Sequence, residues 1–402
     1  MKRQNDIYPK VYEIDNIKFM IHKICLNTKN KNKVDRFEMF SAEELIYIKS
    51  HLENKTYVPG KYNLFLIREP KIRLIMSQSI RDKVVNHLVA QHFLVEVFDS
   101  SFIDSSIATR KGKGTHYGLK LIKRYLNEIK LNYKEVYFLK FDIKKYFYNI
   151  DHEITKSLMR KKIKDRDALA LLDLIIDTTD EEYVNESIVK LKENEIEKLK
   201  KLENINEKDR IKRIEEVASI PLYKKGKGFS IGNMSSQIFA ILYLNELDHF
   251  IKEKLHIKYY VRYMDDGVLI HHDKEYLKYC KSEIEKVLKK YKLEYNYNKT
   301  KVDNIKNGID FLGFRFYIKN NRVIMKLRNS TKKKFKKRTK DLENLRKYRY
   351  IDEKQYKQAL ASYKGHLKWG NCKNLVYSNT IKRRKRHSNP LKSDNSTGTD
   401  FL

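Results

Sequence analysis

The stretch Tyr260-Val261-Arg262-Tyr263-Met264-Asp265-Asp266-Gly267-Val268-Leu269-Ile270 constrains this chain more than any other. Two carboxylates stand side by side in a run that is otherwise rich in apolar, β-branched and aromatic residues. The alternation on both sides reads as two paired strands, with Asp-Asp-Gly supplying a tight hairpin turn. A plain turn accounts for one aspartate, because Asp-Gly is a favoured turn pair, but not for two that repel each other. Either the turn is solvated, or a cation lies between the charges.

A third carboxylate, Asp142, interrupts another β-rich run, "EVYFLKFDIKKYF" over 135–147. A carboxylate at the end of a buried strand is costly unless it is paired or binds a metal. Three aspartates on neighbouring strands would make a hard-oxygen cage for Mg²⁺, an ion that keeps waters and adds substrate phosphate oxygens. Two such ions stabilise the attacking and leaving oxygens of an in-line phosphoryl displacement.

Charge supports a polyanionic partner. Lys and Arg number 86 against 52 Asp and Glu, a formal net charge of +34 over 402 residues, and nucleic acid is the expected counterpart. An AT-rich coding bias explains part of the lysine count but does not by itself suppress acidic residues. Cys25, Cys280 and Cys372 lie far apart with no CxxC pair, which argues against a structural zinc site or a disulfide framework. No apolar run reaches about 18 residues, and the N-terminal stretch lacks an apolar signal core. A soluble, cytoplasmic protein with no membrane contact is expected.

Along the chain, Ser41 is placed as an N-cap, with Glu44 three residues on. "YNLFLIREPKIRLIMS" reads as two short strands around Pro70, and "SIRDKVVNHLVAQHFLVEVF" as a helix. "RKGKGTH", from Arg110 to His116, is a basic loop before another helix. Residues 178–218 are highly charged with low apolar content and read as an exposed helical insertion. From 326 onward the chain is basic and helical.

Taken in order, these stretches resemble the motifs of a reverse transcriptase. "KIRLIMSQSIRDKVV" is similar to the fingers strand that contacts the incoming nucleotide, and "RKGKGTH" to the second fingers motif of bacterial enzymes. "FDIKKYFYNIDH" is similar to the first metal-binding motif, and "IGNMSSQIFAILYLNELD" to the loop and helix behind the template. "YMDD" is similar to the catalytic hairpin, and "LEYNYNKTKV" and "FLGFRF" to the last two palm motifs. The resemblance covers roughly residues 60–320, with a weaker echo in "SYKGHLKWGN" at 362–371. A lone YxDD is a weak sign; the ordered set is specific.

The resemblance implies roles. Asp142 and Asp265 would hold both metals, with Asp266 supporting the site and the Ile143 carbonyl adding an oxygen. Phe147 would be the aromatic gate that excludes a ribose 2′-OH; its alternative is a core aromatic. Arg73 would clamp the triphosphate, where a bidentate guanidinium suits the task, and Lys71 is either a helper or a surface charge. Gly232 would admit the nucleotide close to the backbone, with Gln237 in the same motif. Lys299 would approach the pyrophosphate, or is a solvated strand-end lysine. Arg110, Lys111 and Lys113 would meet nucleic-acid phosphates, and Phe311, Leu312 and Gly313 would grip the primer.

The implied fold is an α+β right-hand polymerase. The N-terminal region and fingers would span 1–135, the palm 136–152 and 231–325, and a fingers or helical insertion 153–230. A helical thumb would follow over 326–385, then a disordered basic and polar tail over 386–402. The implied activity is RNA-directed DNA synthesis by two-metal nucleotidyl transfer, using Mg²⁺ (or Mn²⁺ as a substitute), dNTPs and a template RNA, and yielding cDNA. Ile231 stands where intron-type and retroviral enzymes usually carry Gln, and the motif ends in Ser236-Gln237. That ending resembles enzymes of diversity-generating retroelements and of antiphage defence systems. A dedicated non-coding RNA, an accessory protein and a homo-oligomer are expected companions of such enzymes. The alternatives are template-independent or protein-primed synthesis on the same fold, a group II intron-like enzyme, and a catalytically idle RNA-binding scaffold, against which the three intact aspartates weigh.

Overall fold

The structure is a computed structural model, and it describes residues 3–68, 71–203, 205–367, 369 and 370. The expected tail at 386–402 and Pro70 lie outside the described residues. The chain divides into two compact units, one of 1–118 with 137–302 and the other of 119–136 with 303–402. Helices and antiparallel sheets are mixed throughout, giving the expected α+β class.

The first unit holds two sheets. Strands β1 (Asn63–Ile67) and β2 (Arg73–Ser77) form an isolated antiparallel hairpin. Strands β3 (Tyr137–Phe141), β4 (Tyr259–Tyr263), β5 (Asp266–His271) and β6 (Lys301–Asn304) form a second sheet in the order β4-β5-β3-β6. β5 pairs antiparallel with both neighbours, Val268 lying opposite Lys140 on β3 and Val261 on β4. Phe138, Leu139, Phe141, Tyr260, Val261, Val268 and Leu269 are all fully buried along these strands. Their near-continuous apolar character marks a sheet covered on both faces.

Three helices back this unit's core: Ile80–Val89, Met234–Tyr243 and Lys274–Lys290. Met234–Tyr243 is buried almost all round, from Ser235 through Tyr243, as expected of a helix in the middle of a core. Helix Ile80–Val89 starts at Ser79, whose side chain accepts from the Asp82 N–H, satisfying one orphan donor of the first turn. Ser41 does not play that part. It is the first helical residue, Phe40 holds the cap position without a side-chain bond, and Glu44 instead receives both guanidinium arms of Arg81 at 2.6 and 2.7 Å.

The second unit contains β7 (Ile309–Phe311), β8 (Phe314–Lys319) and β9 (Arg322–Leu327) as an antiparallel meander. Leu312 and Gly313 form the two-residue β7–β8 turn with φ of 48° and 86°. Two consecutive positive φ values are what a right-twisted hairpin turn requires. Helices Asn329–Lys347 and Glu353–Leu367 follow. No helix among the described residues is long and apolar enough to cross a membrane.

Candidate active site

Strand register delivers the carboxylates. The β3–β5 ladder ends with Phe141 opposite Gly267, and the next residue on each strand is an aspartate, Asp142 and Asp266. Gly267 is required here because a Cβ would lie 2.2 Å from the Phe141 ring. The glycine thus makes room for a core aromatic and takes no part in the turn. The hairpin loop is Met264-Asp265, closed by the Tyr263–Asp266 pair, not the Asp-Asp-Gly read from sequence. Met264 takes φ +54°, at a loop position where such turns usually place glycine. Strained backbone of this kind costs roughly 1–3 kcal/mol and persists only where its surroundings impose it.

Those surroundings centre on Arg262. Its guanidinium and the Asp248 carboxylate form an ion pair with neither side chain exposed. Nε donates to Asp248 Oδ1 at 2.7 Å, Nη2 to Asp248 Oδ2 at 2.5 Å, and Nη1 to the Met264 carbonyl at 2.8 Å. Nη2 also reaches Ser106 Oγ and the Ile241 carbonyl, and Tyr260 Oη donates to Asp248 Oδ1 at 2.7 Å. The buried charges are therefore paired and hydrogen-bonded, which is what allows them inside. Nothing in the sequence motif alone singles out this network.

Asp142 is held from the loop before β6. Lys299 Nζ lies 2.8 Å from each of its carboxylate oxygens, and Asn296 Nδ2 donates at 2.9 Å. The Asn296 N–H donates to the Asp142 carbonyl at 2.7 Å, and Ile143 forms an isolated antiparallel bridge with Tyr295. Asp266 is met by Lys140 Nζ at 3.1 Å, a diagonal cross-strand neighbour. Asp265 is the most strained electrostatically. Burial, then the charge of Asp142 and after it that of Asp266, push its carboxyl up to about 6. A partly desolvated carboxylate facing two others in this way fits a hard divalent cation. Asp142 and Asp265 could hold it, with Asp266 close by.

The remaining residues divide. Phe147 is half-buried on the short helix Tyr146–Asn149, packed edge-on against Tyr146, and its carbonyl accepts from the Phe229 N–H at 2.7 Å. Arg73 is exposed on β2 and Lys71 is exposed just before it. Gly232 has φ +139°, and a Cβ there would meet the Met76 carbonyl at 2.9 Å and Ile75 at 3.4 Å. Gln237 is half-buried and its Oε1 accepts from Thr109 Oγ1 at 3.2 Å. Phe311, Leu312 and Gly313 lie in the second unit, Phe311 at the end of β7 and the other two in the turn already described.

Arg110 departs from expectation. All five of its N–H directions are consumed by Asp99, the Ile103 carbonyl and the Ser106 carbonyl, so the guanidinium braces its own loop and has none left for a phosphate. Lys113 is ion-paired with Asp104 and lies over the Tyr117 ring. Only Lys111 of the three remains as exposed as the basic loop suggested. Sequence reasoning also missed Lys140, Asn296 and Thr300 beside the aspartates, the last accepting the Asp142 N–H at 3.3 Å. Their signal is positional: Lys140 lies two residues before Asp142, and Asn296 and Thr300 flank Lys299.

Comparison with known proteins decides the family. The sequence model described as "Reverse transcriptase (RNA-dependent DNA polymerase)" matches residues 67–316. The chain belongs to the reverse transcriptase family. Among curated relatives, the group II intron-encoded protein LtrA of Lactococcus lactis subsp. cremoris is 30% identical over 134 residues. That match is 33% of this chain and 21% of the relative, so this reverse transcriptase aligns with about a fifth of LtrA. Solved structures with a similar trace include apo telomerase from Candida tropicalis, at 18% identity, covering 65% of this chain and 47% of that one. Telomerase from Candida albicans with a fragment of telomeric RNA is 15% identical, covering 68% and 46%. Their TM-scores, 0.39 and 0.42, are too low to carry weight.

Proposed function

We propose that this reverse transcriptase is an RNA-directed DNA polymerase that extends a primer on an RNA template. The observation that carries the reading is the convergence of Asp142 and Asp265 at the ends of paired strands, with the Asp265 carboxyl driven up by burial and then by the charge of Asp142. The chemistry is phosphoryl transfer, in which divalent ions held by the aspartates would stabilise the attacking and departing oxygens.

The chain's own residues supply the rest. Asp142 and Asp265 offer carboxylate oxygens, and Lys299, paired with Asp142, would exchange that partner for a departing pyrophosphate. Arg73 clamps the triphosphate, Gly232 lets the nucleotide approach the backbone, and Phe147 bars a 2′-hydroxyl. Phe311, Leu312 and Gly313 grip the primer, as the right-hand arrangement of the family implies. The net charge of +34 serves the template and product.

Ile231 favours a low-fidelity enzyme of a retroelement or an antiphage defence system, because its side chain cannot hydrogen-bond the nascent pair. The test is to supply a defined RNA, primer and dNTPs, then sequence the DNA. Templated DNA with frequent errors, reduced by Ile231→Gln, supports this reading. Product without a template supports untemplated synthesis on the same fold, and accurate copying of arbitrary RNA supports an intron-like enzyme.

A further inference from the structure

The insertion at 178–218 is not exposed throughout, as its composition suggests it should be. Its first helix, Glu182–Lys200, buries Val184, Ile188, Glu195 and Leu199 along one side. Val184 and Ile188 pack with Tyr62, Leu74, Met76, Ile220 and Tyr223 in a cluster joined by Leu64 and Leu66. This is one face of the β1–β2 hairpin, since Leu64 lies opposite Met76 and Leu66 opposite Leu74. A two-stranded hairpin is marginal alone, and β1–β2 joins no other sheet. The insertion helix supplies its missing layer.

Polar ties fix the arrangement. Tyr183 Oη accepts the Tyr62 N–H at 3.0 Å, and Arg68, just beyond β1, pairs with the buried Glu195. Tyr62 Oη also lies 2.9 Å from Thr178 Oγ1, at the root of the insertion, and accepts from Asn233 Nδ2 at 3.1 Å. The opposite face of the hairpin carries Arg73, opposite Ile67, and Ile75, opposite Phe65. The backbone edge of β2 meets the Gly232 loop, where the Met76 N–H donates to the Ile231 carbonyl at 3.0 Å and Ile75 stands beside Gly232.

We propose that the insertion is a buttress that sets nucleotide affinity by holding the β1–β2 hairpin, and with it Arg73 and Ile75, against the Gly232 loop. Val184, Ile188, Tyr183 and Glu195 are positioning residues that touch no substrate themselves. The proposal rests on Arg73 and Gly232 lining the nucleotide site. A buttress that loosens lets the triphosphate clamp wander while leaving the aspartates, on a separate sheet, undisturbed.

The test is steady-state primer extension by the full chain, with KM for dNTP, kcat and affinity for the RNA–primer duplex measured separately. Ile188→Ala and Glu195→Arg should each raise KM about fivefold or more, with kcat within about twofold and duplex affinity unchanged. Adding Arg68→Glu to Glu195→Arg should restore the opposite-charge pair and bring KM back, which also answers the case in which Ile188→Ala fails to fold. Unchanged KM in these variants, or a loss confined to duplex affinity, overturns the buttress. Arg73→Ala separates the two levels. If it raises KM while the insertion variants do not, the buttress alone fails; if it leaves KM unmoved, the nucleotide-site reading fails and takes the buttress with it.

Discussion

Arg262 and Asp248 pair without solvent exposure on either side, and the same guanidinium holds the carbonyl of Met264, the residue beside Asp265. The pair thus links a core helix, Asn245–His249, to the loop that presents Asp265, the carboxylate proposed to hold metal. Removing one partner of a buried pair leaves an uncompensated charge and typically costs about 3–5 kcal/mol. Asp248→Asn should therefore lower unfolding stability by that order, read by urea denaturation. The double variant Arg262→Met with Asp248→Leu should recover much of that stability, because neither charge remains. It should still extend primers slowly, because nothing then holds the Met264 carbonyl. Full recovery of both properties would reduce the pair to a core contact.

Lys299 and Asp142 make a second checkable relationship. A cation on both oxygens of Asp142 competes with a metal for the same carboxylate. Lys299→Met should lower the Mg²⁺ concentration needed for half-maximal extension by about threefold, while also lowering kcat through loss of a cation near the departing pyrophosphate. Mn²⁺ binding followed by electron paramagnetic resonance gives the same comparison without turnover. An unchanged metal requirement would mean that the contact does not persist in solution.

Much of the site is legible in the sequence because a carboxylate stands out in a short run of apolar, β-branched and aromatic residues. The β3 run ending in Asp142 and the β4–β5 hairpin are both found this way. The turn is placed too far along the chain, at Asp265-Asp266-Gly267 instead of Met264-Asp265, because glycine is read as a turn signal. Gly267 exists to clear the Phe141 ring, and Met264 adopts the positive φ instead. Arg110 is misread because a count of basic residues cannot tell which guanidiniums are spent on carbonyls and on Asp99, eleven positions earlier. In the insertion, the signal is present as a narrow stripe. Val184, Ile188, Leu191, Glu195 and Leu199 recur at helical spacing, and one of the five is a glutamate whose partner, Arg68, lies far away in sequence.

Phe147 sits half-buried five residues after Asp142 and packs on Tyr146. Phe147→Ala should open space for a 2′-hydroxyl and reduce discrimination against ribonucleotides by at least about tenfold, measured as the ratio of kcat/KM for a dNTP and its ribonucleotide. A shortened core aromatic would instead lower stability and leave the ratio unchanged.

The most direct measurement is extension of a primed RNA template by Asp265→Asn, with thermal stability and template affinity measured on the same preparation. Asparagine keeps the shape of the side chain and removes the charge that Asp142 and Asp266 oppose. The variant should be at least as stable as the parent without metal, should lose the parent's thermal stabilisation by Mg²⁺, and should bind template RNA as the parent does. It should make no detectable DNA. Near-parental synthesis by a folded, template-binding Asp265→Asn protein would contradict the assignment of these aspartates as the metal-holding catalytic centre.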